Sequence, residues 1–201
     1  MALTYHNNNS ISNITSFAQV PSGSLTLLST ATASSSSSIS FTSGIDSTYD
    51  VYQFEFNNIH ASNVSHLQFQ CSTNGGSSYG IPMTTTYFRA VHDEADTTAS
   101  LTYDTGSDLA QSTSFQLLTE NSSNNDGESV SGIFYFFSPS STTYVKHFIS
   151  ITQHNRDTPQ YSDNFYVAGY LNTTSAINAI KFQMNTGTMD DGKIKMYGIK
   201  A

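Results

Sequence analysis

Residues 48–57, TYDVYQFEFN, constrain the fold more than any other stretch of the chain. In an extended backbone Tyr52, Phe54 and Phe56 fall on one side, and Val51, Gln53 and Glu55 on the other. The first side has no use for water. A lone strand cannot bury it, so the segment must lie in a sheet with a core against one face. Similar runs recur at 24–30 (SLTLLST), 66–72, 83–90, 129–137 (SVSGIFYFF), 144–153 (YVKHFISITQ), 164–171 (NFYVAGYL), 177–185 and 192–200. Turn signals separate them. With the short run 39–42 they predict about ten strands and almost no helix, the pattern of an antiparallel β-sandwich of jelly-roll-like type. Asn74-Gly75 is the strongest hairpin signal and is expected to join 66–72 to 83–90. Residues 108–111 read as a single helical turn.

The 201 residues suffice for one such domain, and no linker or change of composition divides them. Residues 1–23 read as an N-terminal arm and 24–201 as the sandwich. In the arm Leu3, Ile11, Ile14 and Phe17 are isolated apolar pegs on a polar, turn-prone background. Such spacing suits docking onto a neighbouring surface. The alternative is a plain flexible terminus.

Composition narrows the function. Charged residues are 11% of the chain, against roughly 25% in ordinary soluble domains. Hydroxyls and amides take their place, with 13 Phe and 12 Tyr supplying much of the apolar content. Extracellular β proteins and virus particles share this balance. The net charge of −8 argues against nucleic-acid binding, which needs clustered cations. No secretory signal is visible at the start, and no run is long enough to cross a bilayer. A chain released by host lysis fits both the composition and the lack of an export signal. The single cysteine, Cys71, excludes an intrachain disulfide and alternates with Leu67 and Phe69, as a buried, inert thiol would.

Catalytic and metal motifs are weak. Gly76-Ser-Ser-Tyr-Gly80 has the form G-x-S-x-G, which carries meaning only on a strand-to-helix elbow. His60, His66, His92, His147 and His154 lack metal-ligand spacing. His147 shares a side with Val145, Ile149 and Ile151, and reads as a core or interface histidine. The acidic run His92-Asp-Glu-Ala-Asp96 offers carboxylates to Ca²⁺ without the spacing of a known calcium loop, and a solvated loop is the simpler reading. No catalytic residue, metal or cofactor is assigned. The candidate contact residues are Tyr79, Tyr87, Tyr103 and Tyr161, read as exposed loop tyrosines, with His154 and Arg156 in a loop after a strand end. Aromatic rings beside amides and hydroxyls serve sugar-binding surfaces and protein interfaces alike.

The run SSSSISFTSGIDSTYDVYQFEFNNIH (35–60) resembles a domain of virion proteins from tailed bacteriophages, marine and cyanobacterial ones in particular. TTTYFRAVHDEAD (84–96), SDLAQST (107–113), SPSSTTYVKHFI (138–149), YVAGYLNTTSAINAIKF (166–182) and GKIKMYGIK (192–200) extend the resemblance over most of the chain beyond residue 24. It implies a non-enzymatic capsid decoration or fibre-type surface subunit, located in the virion and anchored by arm and sheet face to other virion proteins. A homo-oligomer, of which a trimer is one form, is expected from closed symmetry. The alternative is an adhesin module that grips host surface polysaccharide. Neither reading involves nucleic acid or membrane insertion.

Overall fold

The computed structural model of the chain describes residues 25–156 and 160–200. The arm pegs lie outside them. Twelve strands follow in order: β1 (Leu25–Thr32), β2 (Ile39–Phe41), β3 (Val51–Ala61), β4 (Leu67–Ser72), β5 (Met83–Asp93), β6 (Ala99–Tyr103), β7 (Gln116–Leu117), β8 (Val130–Phe137), β9 (Lys146–Arg156), β10 (Tyr161–Leu171), β11 (Ala179–Met184) and β12 (Met189–Ile199). Residues 108–111 form no helix among them.

Two antiparallel sheets pack face to face, as a sandwich requires. The pairing is nested: β1 with β12, β2 with β11, β3 with β8, β4 with β7. One sheet therefore contains β1-β12-β3-β8 and the other β2-β11-β4-β7. That double wrap of eight strands is the jelly roll. Two inserted hairpins enlarge it. The pair β5–β6 enters between β4 and β7, and β9–β10 between β8 and β11. They extend the first sheet to eight strands, β1-β12-β3-β8-β9-β10-β5-β6.

The expected burial of Tyr52, Phe54 and Phe56 holds: each is at most 1% exposed. Their strand continues to Ala61, beyond the run 48–57, across a register shift between Phe56 and Ile59. Phe54, Phe56, Phe69, Phe134, Phe148 and Phe182 fill the space between the sheets. Phe69 lies 4.8 Å from Phe134 and 4.9 Å from Phe148, both edge to face. Such pairs contribute about 0.5–1.5 kcal/mol beyond area burial. Cys71 is fully buried among them, and burial pushes its thiol up.

Asn74-Gly75 turns the chain but does not make the expected hairpin. The strands either side of it, β4 and β5, belong to different sheets. The Asn74 carboxamide accepts from the Ser72 hydroxyl (2.7 Å) and from the Ser78 backbone N–H (3.0 Å), and its Nδ2 donates to the Ser78 hydroxyl at 2.8 Å. The loop is held by these side chains and by the Gly75 N–H donating to Asn178 Oδ1 (2.8 Å), with no ladder between its two ends.

Candidate functional site: the outer face of the large sheet

An antiparallel sheet with one face on a core normally turns polar side chains outward. The large sheet does not. Cross-strand neighbours line up in rows on its outer face. The first row runs Leu25, Ile199, Val51, Phe137, His147, Tyr170 and Thr84. The second is Leu27, Tyr197, Gln53, Tyr135, Ile149, Ala168 and Thr86. In the third, Ile133, Ile151, Tyr166, Phe88 and Tyr103 follow Lys195 and Glu55. From β8 to β6 these three rows carry no charged side chain. Leu25, Leu27, Phe88, Tyr103, Ile149 and Tyr166 are each 43–53% exposed. The next row, Ser131, Gln153, Asn164, Ala90 and Leu101, is mostly polar.

The inward side of β9 accounts for this arrangement. Lys146, Ser150, Thr152 and His154 point in, and each finds a backbone carbonyl. Lys146 Nζ donates to Tyr144 (2.9 Å) and Thr173 (3.1 Å), and Thr152 Oγ1 to Leu118 at 2.6 Å. Burial pushes the Lys146 ammonium down. With Lys146, Ser150 and Thr152 bonded inside, the strand's other set, His147, Ile149 and Ile151, stands outside. His147 is therefore an exposed surface histidine, and the core branch of its expected reading falls away.

A groove of about 410 Å³ interrupts the rows where Ala168 is too small to fill them. Phe137, His147, Ile149, Tyr170, Thr84 and Thr86 line it. The His147 and Tyr170 rings lie 6.4 Å apart. Amides fix one end: Gln111 Nε2 donates to Thr84 Oγ1 (2.7 Å) and the Tyr170 hydroxyl (3.2 Å), and Asn172 Nδ2 to Gln111 Oε1 (2.6 Å).

The six candidate contact residues mostly go elsewhere. Tyr87 and His154 are corrections: both are fully buried on strands, facing inward, because alternation puts them in phase with Phe165 and Phe148. Arg156 ends β9, with its guanidinium 4.3 Å from the centre of the Tyr161 ring. Tyr79 is half-buried beneath Lys181 Nζ at 4.2 Å. Tyr103 alone is on the exposed face, on edge strand β6, donating to Asp108 Oδ2 at 2.6 Å. Phe88, Phe137, Tyr166 and Tyr170 were not among the candidates. Their signal was available: runs such as GIFYFF and NFYVAGYL are apolar in both phases, as strands buried on two sides are.

His154 and Arg156 do meet, beside a buried carboxylate. Asp163 is fully buried. Arg89 Nη2 donates to both its oxygens, at 3.2 and 3.1 Å, and Arg89 Nη1 lies 3.7 Å from Glu120. His154 Nε2 and Arg156 Nε each stand 3.9 Å from Asp163 Oδ2. The His154 ring stacks on Phe165, and its Nδ1 donates to the Asn155 carbonyl at 3.0 Å. Burial holds this imidazole below its ordinary range and outweighs the pull of Asp163, which Arg89 already neutralises. Burial, with Asp104 alongside, pushes the Glu120 carboxyl up, and the Ser107 hydroxyl donates to it. The arrangement is a charge cluster inside the inserted half of the sheet. It ties β5, β9 and β10 to the segment that covers them.

The acidic run 92–96 is used locally. The Asp93 carboxylate accepts the Thr97 and Thr98 backbone N–H groups at 2.8 Å each, closing the β5–β6 turn. Among the described residues no group of three or more potential metal ligands occurs. No described helix is long and apolar enough to cross a membrane.

No protein-family model, curated protein or solved structure matches the chain.

Proposed function

We propose that the chain is a non-enzymatic structural subunit of a tailed-phage virion, a capsid decoration or fibre-type surface protein. The observation that carries this reading is the outer face of the large sheet, whose three rows hold no charged side chain from β8 to β6. A domain whose widest surface is aromatic and aliphatic is built to lie against protein. The low charge and the resemblance to phage surface domains favour a particle as its setting. The arm, residues 1–23, supplies a second anchor. Gold-labelled antibody on purified particles tests the proposal. It predicts regular labelling of head or tail in the full-length protein, reduced when the arm is deleted. Particles without label from cells that express the protein would reject it.

The groove favours a second reading, a module that binds host polysaccharide. Its aromatic walls at Phe137, His147 and Tyr170, with the amides of Gln111 and Asn172 at one end, match the amphipathic faces of sugar rings. Adsorption of the purified protein to host cells, lost in Tyr170→Ala, would favour this reading over a purely structural one.

A further inference from the structure

We infer that the outer face of the large sheet is a homomeric interface, covered by the same face of a second copy of this chain. The inference rests on the same surface as the virion reading, but its test reads the mass of the chain and not its place on a particle, so either can fail alone.

Size is the first argument. Each row crosses seven strands, which at about 4.8 Å spacing span roughly 29 Å, and three outward rows with their side chains span roughly 20 Å. The product, on the order of 600 Å², approaches the roughly 800 Å² per partner of a stable protein–protein interface.

Charge is the second. The chain carries −8, so two copies repel over most orientations. The three rows hold one carboxylate, Glu55. The Gln53 amide (3.3 Å) and the Tyr197 hydroxyl (3.1 Å) donate to it, and Lys195 is its cross-strand neighbour. Two copies that meet on this face bring no uncompensated like charges together.

Shape is the third. The same face carries projections, Ile149, Tyr166 and Phe88, and a recess, the 410 Å³ groove. A two-fold axis through the face lets projections of each copy enter the recess of the other. This isologous contact uses one patch twice. A three-fold ring needs two different patches, and the rows form only one.

The test is the mass of the full chain in solution, by sedimentation or light scattering, from about 1 to about 100 µM. Wild type should have twice the 21.9 kDa chain mass. Ile149→Glu places a carboxylate from each copy in the apolar contact and should weaken the dimer by more than about tenfold. Thr86→Arg, at an exposed polar position of the second row, should do the same without touching the core. Val64→Glu, an exposed position between β3 and β4, should leave the dimer intact. A wild-type monomer at every concentration would overturn the inference, and would return the face to a glycan or another virion protein. A trimer, or a dimer unaffected by both Ile149→Glu and Thr86→Arg, would overturn it as well.

Discussion

Asp163 is the residue on which most depends. It sits without exposure and answers Arg89 directly, with Arg156 close by. A buried charge that loses its partner costs more than the pair contributed. Asp163→Ala should therefore destabilise the domain by about 3–5 kcal/mol, read from the urea midpoint. Asp163→Ala combined with Arg89→Met should recover part of that loss. Recovery smaller than the error of the fit would mean that the two groups act separately. His154 adds a pH dependence. Burial depresses the imidazole of His154, and also that of His66, from 6.5. A depressed imidazole stabilises the fold fully above its unfolded value, and that stability is lost as pH falls through the folded value. The urea midpoint should thus drop as pH falls below about 6.5. His154→Gln should make that slope shallower, whatever its effect at pH 8. Glu120 acts in the opposite sense: its raised carboxyl favours the fold at low pH, with that contribution lost as pH rises above 4.5. An unchanged slope in His154→Gln would remove His154 from this account.

Among the elements, β3 and β12 carry a shared irregularity that matters to the jelly roll. Their register shifts between Asp191 and Lys193, opposite Asn58, whose φ is +51°. Gly192 lies there with φ +108°, and a Cβ on it would stand 2.4 Å from the Asn58 carbonyl oxygen. Gly192→Ala should cost at least about 1–3 kcal/mol in thermal or urea unfolding, from the backbone conformation alone. A neutral result would mean that the bulge relaxes freely. Elements also differ in how far the chain itself announced them. The alternation around Phe54 marked β3 and its buried side, because side-chain direction is local. Asp191-Gly192 carries a turn signal in the sequence but lies inside β12, because a bulge is visible only when its partner strand is in place. Asn74-Gly75 misled for the same reason: a turn signal says that the chain bends, and pairing is decided by strands far apart in sequence. In β9 the apolar set was legible but its direction was not. Only the carbonyls waiting for Lys146, Ser150 and Thr152 explain why those residues face inward. His154 and Arg156 looked like a loop because the strand ends in polar residues, which β10 then pairs at Asp163 and Tyr161.

The molecule as a whole is a jelly roll widened on one side. The original wrap supplies the phenylalanine core, and the inserted hairpins supply half of the broad outer face and the charge cluster beneath it. Class and strand content were readable from composition and periodicity. The two-sided apolar runs of β8 and β10 hinted at an exposed aromatic surface, but which side faces out is decided only once the core is located. The nested order has a further consequence for biogenesis. Leu25 is paired with Ile199, so among the described residues β1 has no strand neighbour until β12 has left the ribosome. Each inner pair closes a shorter loop than the one around it. Folding can start from the β8–β9–β10 meander, whose strands adjoin in sequence, but the outermost pairing waits for nearly the whole chain. Until then the strand edges stay open. This protein should therefore rely on its rate of synthesis, and on whatever shields half-made chains, more than a fold of local contacts does.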